Sequence, residues 1–559
     1  MTITMLLLTS MNQVTASTTF PLPITTRTPG ATASTKENTP KDTDSTIEVR
    51  PHLPATLTPA LPSEISSEPT RSKQKRLNLD TMSQSLRHMD YAVRGKVVTA
   101  ADRIADELQQ SPRRHQYPFD HIVYTNIGNP HALGQAPLTW PRQVMALVDL
   151  PDHVGVDHPE IATLFPKSAI RRALELKHGL GKDSGSGAYT HSKGVHSIRC
   201  DVANFIQQRD NNIPSDPESI FLTNGASSGI HMILQALIST DRTIKSGVMI
   251  PIPQYPIYSA TVDLLEGIKV GYYLNEENGW SLDIEELERA YQEAIDSGIT
   301  VNSFVLINPG NPTGQVLSKK NVQDVVKFCS KHQLVLMADE VYQENVYDGE
   351  FYSCKRAAYD CGVLNDIELV SFHSVSKGVY GECGRRGGYM ELTGIDDGVV
   401  DEIYKLASSS LCATVSGQVM VSLMVRGPDP TEPEFALHEA EKRTIYESLK
   451  RRSRIVSDGL NRIPGFQCQP SAGAMYAFPS ISMPLKAITH ANEIGMSPDS
   501  LYCLSLLKAT GICVVPASGF GQKDGRYGFR TTILPDEKEL QHCMKLITEH
   551  YQQFVHEYE

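Results

Sequence analysis

The stretch SVSKG at residues 374–378 follows the apolar run ELVSF at 368–372 and precedes GECGRRGG at 381–388. A run of that length and composition is typical of a buried strand, so Lys377 is expected just beyond a strand's carboxyl end. Ligands of open α/β sheets bind in the crevice that such strand ends form. A lysine there, with hydroxyls before it and arginines after it, is suited to bond a carbonyl ligand covalently. Because lysine after serine is also common on surfaces, the interpretation depends on what the other strand ends carry.

The pattern around this stretch predicts an α/β fold. After residue 194, apolar runs of strand length alternate with segments of helical periodicity. This alternation is typical of βαβ units and a mainly parallel sheet. We predict a large domain over residues 165–430. A smaller α/β domain is predicted to combine an N-terminal arm and adjoining segment, residues 86–164, with residues 431–559, where 474–478 and 512–515 resemble strands.

Residues 1–85 differ in composition from the rest of the chain. They are rich in Ser, Thr and Pro and lack apolar periodicity, so we predict a disordered leader. Residues 1–36 contain no Asp or Glu but carry Arg27 and Lys36, which is compatible with a mitochondrial targeting segment. An extension without a targeting role is the alternative. The mitochondrial matrix and the cytoplasm are therefore both open as locations.

The bulk composition excludes several classes of partner. The 559 residues are 40% hydrophobic and 21% charged, as in soluble globular proteins, and the formal net charge of -12 does not favour nucleic acid or anionic membranes. The ten cysteines form no CxxC pair, so no metal or redox site is predicted. No apolar run approaches the roughly 20 residues that span a bilayer. Small anionic substrates would need local arginines.

Two turns near predicted strand ends offer contacts to a ligand. Residues 223–229 read TNGASSG and open an apolar helix, so the Ala226 N–H and the Ser227 hydroxyl could bind a phosphate. Such turns also cap helices that bind nothing. Tyr255 follows the strand-like run at 247–252 and could stack on a planar ligand, although core packing is the commoner role of tyrosine.

Two further strand ends carry polar residues. The run at 304–307 leads into NPGNPTG at 308–314, which places the Asn311 amide at the crevice. The run at 334–337 is followed by Asp339 and Tyr342. A carboxylate directly after a buried strand requires a cation or hydrogen-bond donors, unless it only caps the next helix.

One ligand, pyridoxal 5'-phosphate, can use all of these groups. Asp339 would keep the pyridine nitrogen protonated, Asn311 and Tyr342 would hydrogen-bond the ring oxygen, and Tyr255 would pack on the ring face. Lys377 would form the Schiff base and move the substrate α-proton as general base and acid. The phosphate would be held by four groups: Ser374, Arg385, Ser227 and the N–H of Ala226.

These motifs resemble a known family. NPGNPTG at 308–314, DEVY at 339–342, and SVSK at 374–377 with Arg385 eight residues after Lys377 are similar to motifs of the fold-type I, class I/II pyridoxal-phosphate-dependent aminotransferases. GECGRRGG at 381–388 and NPHALGQ at 129–135 resemble the alanine aminotransferase subgroup in particular. The resemblance extends from about residue 86 to the C-terminus, and the joint order of the motifs is more specific than any one of them.

The resemblance implies roles for further residues by matched position. Arg530 would bind the substrate α-carboxylate with Asn311, and the Gly128 backbone would lie over that carboxylate. Tyr189 would reach the phosphate in the neighbouring subunit, which implies a homodimer with shared active sites. Arg386 is expected to support Arg385 or its loop, or to lie exposed.

The implied reaction is the reversible transfer of the amino group from L-alanine to 2-oxoglutarate, which gives pyruvate and L-glutamate. One alternative is another enzyme of the same fold, such as an aromatic or kynurenine aminotransferase or an aminocyclopropane-carboxylate synthase-like lyase. No residue in the sequence can be shown to shape a pocket for a methyl group, so this alternative stays open. A catalytically silent relative that acts as a binding protein is the second.

Overall fold

The computed structural model describes residues 75–89, 91, 95–110, 116–181 and 185–559. Residues 1–74 of the predicted leader, which was expected to span residues 1–85, lie outside the described residues. The strands of the described part are β1 (Val123–Tyr124), β2 (Ile220–Thr223), β3 (Ser246–Ile252), β4 (Ile268–Tyr273), β5 (Thr300–Ile307), β6 (Val335–Asp339), β7 (Leu369–Ser374), β8 (Gly388–Thr393), β9 (Phe466–Gln467), β10 (Tyr476–Ala477), β11 (Ser480–Ile481), β12 (Ile512–Cys513), β13 (Val515–Pro516) and β14 (Phe529–Thr532).

Helices precede, separate and follow these strands. They are α1 (Gln84–His88), α2 (Lys96–Gln109), α3 (Thr139–Asp149), α4 (Ile161–Leu164), α5 (Lys167–Leu180), α6 (His196–Arg209), α7 (Ala226–Leu237), α8 (Ile257–Leu264), α9 (Ile284–Asp296), α10 (Lys319–His332), α11 (Cys354–Asp360), α12 (Asp397–Ser409), α13 (Val415–Val425), α14 (Pro433–Asn461), α15 (Leu485–Glu493), α16 (Pro498–Thr510) and α17 (Glu537–Tyr558). Among the described residues, none of the helices is long and apolar enough to cross a lipid bilayer.

A seven-stranded sheet with the order β2-β8-β7-β6-β5-β3-β4 is the frame of the fold. The strands from β7 to β4 pair in parallel, and β8 runs antiparallel to both of its neighbours. The predicted α/β class with a mainly parallel sheet is therefore confirmed. Because β3, β5, β6 and β7 share one direction, their carboxyl ends lie along one edge of the sheet.

Both faces of this sheet are covered, which explains why its strands read as continuous apolar runs. Successive residues of a strand point to opposite faces, so β5 supplies Val305 and Ile307 to one hydrophobic cluster and Phe304 and Leu306 to another. Helix α7 contributes to the first of these clusters, and helices α9 and α10 contribute to the second. The polar residues at the strand ends are thereby held on a rigid support.

Smaller sheets surround the C-terminal segments. Parallel pairing of β1 with β12 joins the segment near residue 123 to the segment near residue 512. A three-stranded sheet has the order β10-β14-β13, and β11 pairs with β9. The predicted domain boundaries at residues 86, 165 and 431 stay predictions.

Close contact between β8 and the turn before α7 gives a test of this packing. A Cβ atom on Gly388 would lie 2.7 Å from the carbonyl carbon of Gly225 and 2.9 Å from the nitrogen of Ala226. Because backbone atoms cannot move aside as a flexible side chain can, we expect Gly388→Ala to lower the free energy of unfolding by about 1–3 kcal/mol.

The matched control is Gly384→Ala, since a Cβ at Gly384 meets no atom within 4 Å. The free energy of unfolding of this variant, measured by denaturant titration, should lie within about 0.5 kcal/mol of the wild-type value. Equal stability of the two variants would contradict the packing described for β8.

Candidate active site

A cavity of about 380 Å³ opens at the carboxyl ends of β3, β5, β6 and β7. Its wall combines residues from these strand ends with residues from the loop after β1, from β10 and from β14. The lining residues are Ile127, Gly128, Asn129, Ala226, Ser227, Ile230, Tyr255, Ile257, Ile307, Asn311, Asp339, Val341, Tyr342, Ser374, Ser376, Lys377, Cys383, Arg386, Tyr476 and Arg530.

The cavity brings together most of the site residues expected from the sequence. Arg385 and Tyr189 are the two expected residues that do not line it. The other expected residues, all of which line it, are Lys377, Ala226, Ser227, Tyr255, Asn311, Asp339, Tyr342, Ser374, Gly128 and Arg530.

Lys377 lies in the turn after β7 and directs its amine into the cavity. Its Nζ donates a hydrogen bond of 2.9 Å to the carbonyl oxygen of Gly128. A Cβ atom on Gly128 would lie 2.7 Å from Nζ and 2.6 Å from the hydroxyl of Tyr476, so only glycine leaves room for both groups. The lysine amine therefore sits between the backbone of residue 128 and a phenol.

Asp339 ends β6 and is a buried carboxylate without a basic partner among the described residues. It accepts a hydrogen bond of 2.9 Å from the hydroxyl of Tyr258. Burial raises the pKa of Asp339 to about 6, although the Tyr258 hydroxyl, the Val341 N–H and the Lys377 charge act in the opposite direction. A cationic ligand group placed against this carboxylate would be strongly favoured.

Arg530, in β14, is a buried guanidinium that forms no ion pair with any carboxylate of the described chain. Its Nη1 donates to Oδ1 of Asn311 at 3.1 Å, and its Nη2 donates to the carbonyl oxygen of Asn126. Nε has no hydrogen-bond partner. A charged group held in this way is suited to a ligand carboxylate.

Aromatic hydroxyls complete the inner wall. Tyr342 donates a hydrogen bond of 3.0 Å to the hydroxyl of Tyr476, and Tyr255 shares a hydrogen bond of 3.1 Å with Tyr91. Burial raises the pKa of both Tyr342 and Tyr255 well above the ordinary range, so both remain protonated hydrogen-bond donors. They offer a ring face and a hydroxyl to a planar ligand.

The turn before α7 gathers groups that could bind an anion. Gly225 has φ of 76°, and a Cβ there would lie 2.6 Å from Nη2 of Arg386. That guanidinium also donates to the Asn224 carbonyl oxygen at 3.0 Å and to the Ser227 hydroxyl at 3.4 Å. Helix α7 begins at Ala226, so its first N–H groups and dipole face the same place.

Arg386, and not Arg385, is the arginine that lines the cavity and lies at this turn, and the expected contact of Arg385 with a phosphate stays a prediction. Arg386 has a left-handed backbone with φ of 56°, which sends the two neighbouring side chains in different directions. Nε of Arg385 lies 3.8 Å from Oε2 of Glu382. The arginine that lines the cavity therefore stands nine residues after Lys377, one position beyond the arginine indicated by the sequence motif.

Tyr189 does not approach the cavity of its own chain. Its side chain is among the exposed large hydrophobic groups, with 78% relative exposure. The expectation that it contacts the phosphate of a neighbouring subunit stays a prediction.

Two segments singled out in the sequence dock against each other beside the cavity. His131 and Gln135 of the 129–135 segment hydrogen-bond to the carbonyl oxygens of Tyr380 and Val379, at 3.0 and 2.9 Å. Cys383 donates to Oδ1 of Asn129 at 3.2 Å. The 129–135 segment and the loop from Lys377 to the start of β8 (residues 377–387, the lysine loop) thus form one wall of the cavity.

Tyr476 lines the cavity but was not among the site residues expected from the sequence. The run at 474–478 was recognised as a strand, but a strand pattern alone does not show which neighbour its tyrosine meets. The pairing of Tyr476 with Thr532 places it beside the strand that carries Arg530. Tyr258, the partner of Asp339, was also missed, and its position three residues after Tyr255 was the available signal.

Comparisons with known proteins show what this chain is similar to. The family model described as "Aminotransferase class I and II" matches residues 159–547. A protein of Dictyostelium discoideum named probable alanine aminotransferase, mitochondrial, is 50% identical over 491 residues, which cover 87% of this chain and 90% of that protein. Glutamate–glyoxylate aminotransferase 2 of Arabidopsis thaliana is 46% identical and covers 87% of this chain and 98% of its own.

A solved structure has the same fold. The alanine aminotransferase of Pyrococcus furiosus superimposes with a TM-score of 0.64 at 23% identity, over 84% of this chain and 100% of that chain. At this identity the likeness supports the fold alone.

The buried Asp339 predicts a pH-dependent stability. Its pKa of about 6 lies above its ordinary value of 3.8, so the folded chain binds this proton more tightly than the unfolded chain. The stabilising effect is complete below pH 3.8 and is lost as the pH rises to about 6. Asp339→Asn should therefore stabilise the ligand-free chain above about pH 6 by up to about 3 kcal/mol.

Denaturant unfolding at about pH 8 and about pH 4 checks this, since the gain should shrink at the lower pH. Asp360→Asn is the matched control. The pKa of Asp360 is lowered by hydrogen bonds from Tyr352 and Lys319, so its replacement should not stabilise the chain at neutral pH. An Asp339→Asn variant that is less stable than the wild type at about pH 8 would contradict the raised pKa of Asp339.

Proposed function

The chain belongs to the class I and II aminotransferase family, and we propose that it transfers the amino group from L-alanine to 2-oxoglutarate, giving pyruvate and L-glutamate. One structural observation carries the proposal. The amine of Lys377, the buried carboxylate of Asp339 and the buried guanidinium of Arg530 face one cavity, and neither buried charge has an ion-pair partner among the described residues. The choice of alanine is supported by the 50% identical relative with that name.

The cavity fits pyridoxal 5'-phosphate, the cofactor of this family. No side chain of the described residues forms an ion pair with Asp339, and a protonated pyridine nitrogen would supply a cationic partner. Asn311 and Tyr342 would contact the ring oxygen, and Tyr255 would lie on the ring face. The phosphate would meet the first turn of α7. When bound, the cofactor provides an electron sink for the charge left by removal of the substrate α-proton.

The residues of the chain would divide the remaining tasks. Lys377 would hold the cofactor through Nζ and, once released by the substrate amine, take the α-proton as general base and return a proton as general acid. Arg530, steadied by Asn311, would bind the substrate α-carboxylate through a planar fork. The Gly128 carbonyl, which accepts from Lys377, marks the side on which the substrate backbone would lie.

The phosphate would be bound by Arg386, Ser227, Ser374 and the N–H of Ala226. This set differs from the sequence expectation by the exchange of Arg385 for Arg386, since Arg386 is the arginine that lines the cavity. Arg385 would instead steady the loop through Glu382.

We also propose a homodimer with shared active sites, in which Tyr189 reaches the partner's phosphate site. The large exposure of Tyr189 leaves it available for such a contact. The relative from Dictyostelium discoideum is named mitochondrial, and both predicted locations, the mitochondrial matrix and the cytoplasm, are consistent with the proposed activity.

A second candidate acceptor is glyoxylate. It is supported by the 46% identity with glutamate–glyoxylate aminotransferase 2, which is close to the identity with the alanine relative. The two reactions share every group described in the cavity, so acceptor choice must be measured.

The test compares substrates on the purified full-length chain with pyridoxal phosphate. We expect L-alanine with 2-oxoglutarate to give pyruvate, detected by coupled reduction, faster than glutamate with glyoxylate gives glycine. Lys377→Ala should abolish both reactions and the visible absorption that pyridoxal phosphate gains on linkage to a lysine. Faster turnover of glyoxylate, or of an aromatic amino donor, would overturn the alanine assignment.

The neighbouring arginines provide a matched pair for the phosphate site. Arg386→Gln removes charge-assisted hydrogen bonds to the phosphate, so the Kd for pyridoxal phosphate should rise about tenfold or more. Arg385→Gln makes the same charge change outside the cavity and should alter the Kd by about twofold at most. Spectroscopic titration of the cofactor-free chain measures both values. A larger effect from Arg385→Gln would restore the original expectation.

A further inference from the structure

Tyr476 is fixed in a position that no family motif quoted from the sequence assigns. It lies in β10, is buried, and pairs with Thr532 of β14. Its carbonyl oxygen accepts a hydrogen bond of 2.6 Å from the Ser471 hydroxyl. The side chain therefore enters the cavity from a rigid strand, and its ring and hydroxyl have separate partners.

The hydroxyl of Tyr476 meets the amine that would transfer the proton. It accepts a hydrogen bond of 3.0 Å from Tyr342, and the nearby charge of Lys377 lowers its pKa. The Tyr476 hydroxyl and the Lys377 Nζ both lie close to Gly128, since a Cβ atom on that glycine would be 2.6 Å from the hydroxyl and 2.7 Å from Nζ. The phenol oxygen and the lysine amine therefore occupy neighbouring positions over the backbone of Gly128.

The ring of Tyr476 meets the group that would bind the substrate carboxylate. The guanidinium carbon of Arg530 lies 4.4 Å from the ring centroid, and Phe520 lies at 4.7 Å from the same guanidinium. A cation held over an aromatic face is attracted by the ring quadrupole. One side chain thus contacts both Lys377 and Arg530.

We propose that Tyr476 is a positioning residue for the amino transfer: its hydroxyl holds the Lys377 amine beside Gly128, and its ring orients the Arg530 guanidinium. The inference rests on the proposed function, because it assumes that Lys377 moves the proton and that Arg530 binds the substrate. It adds a residue that couples the two groups, so that proton transfer and carboxylate binding share one support.

The electrostatics of the phenol agree with these contacts. Burial alone would raise the pKa of Tyr476, but the charges of Lys377 and Arg530 and the hydrogen bond from Tyr342 outweigh it and lower the pKa. Tyr255 is the remaining titratable neighbour, and burial keeps it protonated. Tyr476 should therefore ionise before the other phenols of the cavity.

Two substitutions separate the hydroxyl from the ring. Tyr476→Phe keeps the ring over Arg530, so kcat for alanine should fall about tenfold while KM changes by less than about twofold. Tyr476→Leu also removes the ring, so KM should rise about fivefold in addition. A structural defect alone would not produce this division between kcat and KM.

Tyr347→Phe is the matched control. The Tyr347 hydroxyl is buried and donates to the Ala474 carbonyl oxygen at 2.7 Å, just before β10, but does not line the cavity. Its loss should lower the thermal unfolding midpoint without the fall in kcat. A Tyr476→Phe enzyme with wild-type kcat would overturn the proposal, as would an equal fall in kcat in Tyr347→Phe.

A readout without turnover separates this inference from the proposed function. In the full-length chain stripped of cofactor, ultraviolet difference titration should detect one phenolate that forms below pH 10, the ordinary tyrosine value. It should vanish in Tyr476→Phe and shift to higher pH in Lys377→Ala. Persistence of the signal in Tyr476→Phe, or no shift in Lys377→Ala, would overturn the contact. Absence of alanine turnover in the wild type would instead overturn the proposed function.

Discussion

The burial of two opposite charges that do not neutralise each other governs the architecture around the cavity. Among the described residues, Asp339 and Arg530 form no ion pair: Asp339 accepts a hydrogen bond from Tyr258, and Arg530 contacts neutral oxygens and aromatic faces. Removing an ion from water without an ion partner costs several kcal/mol, so the surrounding fold must supply the stability. The central strands, buried on both faces, provide it. On the proposed function, the ligands complete both charge pairs and recover part of this cost.

A second constraint is that the cavity needs two distant segments to meet. The carbonyl of Gly128 and the amine of Lys377 are 249 positions apart, yet they share a hydrogen bond. Glu382 secures this junction, because its buried carboxylate receives two hydrogen bonds from Arg142 of α3, at 2.6 and 2.9 Å. Hydrogen bonds from His131 and Gln135 to the carbonyl oxygens of Tyr380 and Val379 join the same two segments.

Much of this arrangement follows from the sequence alone. Apolar runs predicted the parallel strands, and turn-forming residues after each run placed Asn311, Asp339 and Lys377 at one edge of the sheet. The side chains that pattern could not assign are those whose position depends on register between remote strands. Tyr476 reaches the cavity only because β10 pairs with β14, and no local period encodes that pairing. Tyr258 is similar, since its contact with Asp339 depends on how α8 packs against β6.

Adjacent residues of like charge mark the limit of sequence reasoning. Asp339 faces the cavity, whereas Glu340 turns to the other side, accepts from the Cys354 N–H at 2.8 Å and lies 3.5 Å from Arg209. Burial raises the pKa of Glu340 to about 7, so a raised carboxyl pKa does not distinguish Asp339 from its neighbour. The arginines at 385 and 386 pose the same problem, which a left-handed backbone decides. In each pair the two side chains carry the same kind of charged group. The backbone conformation therefore determines which of the two side chains points towards a ligand in the cavity.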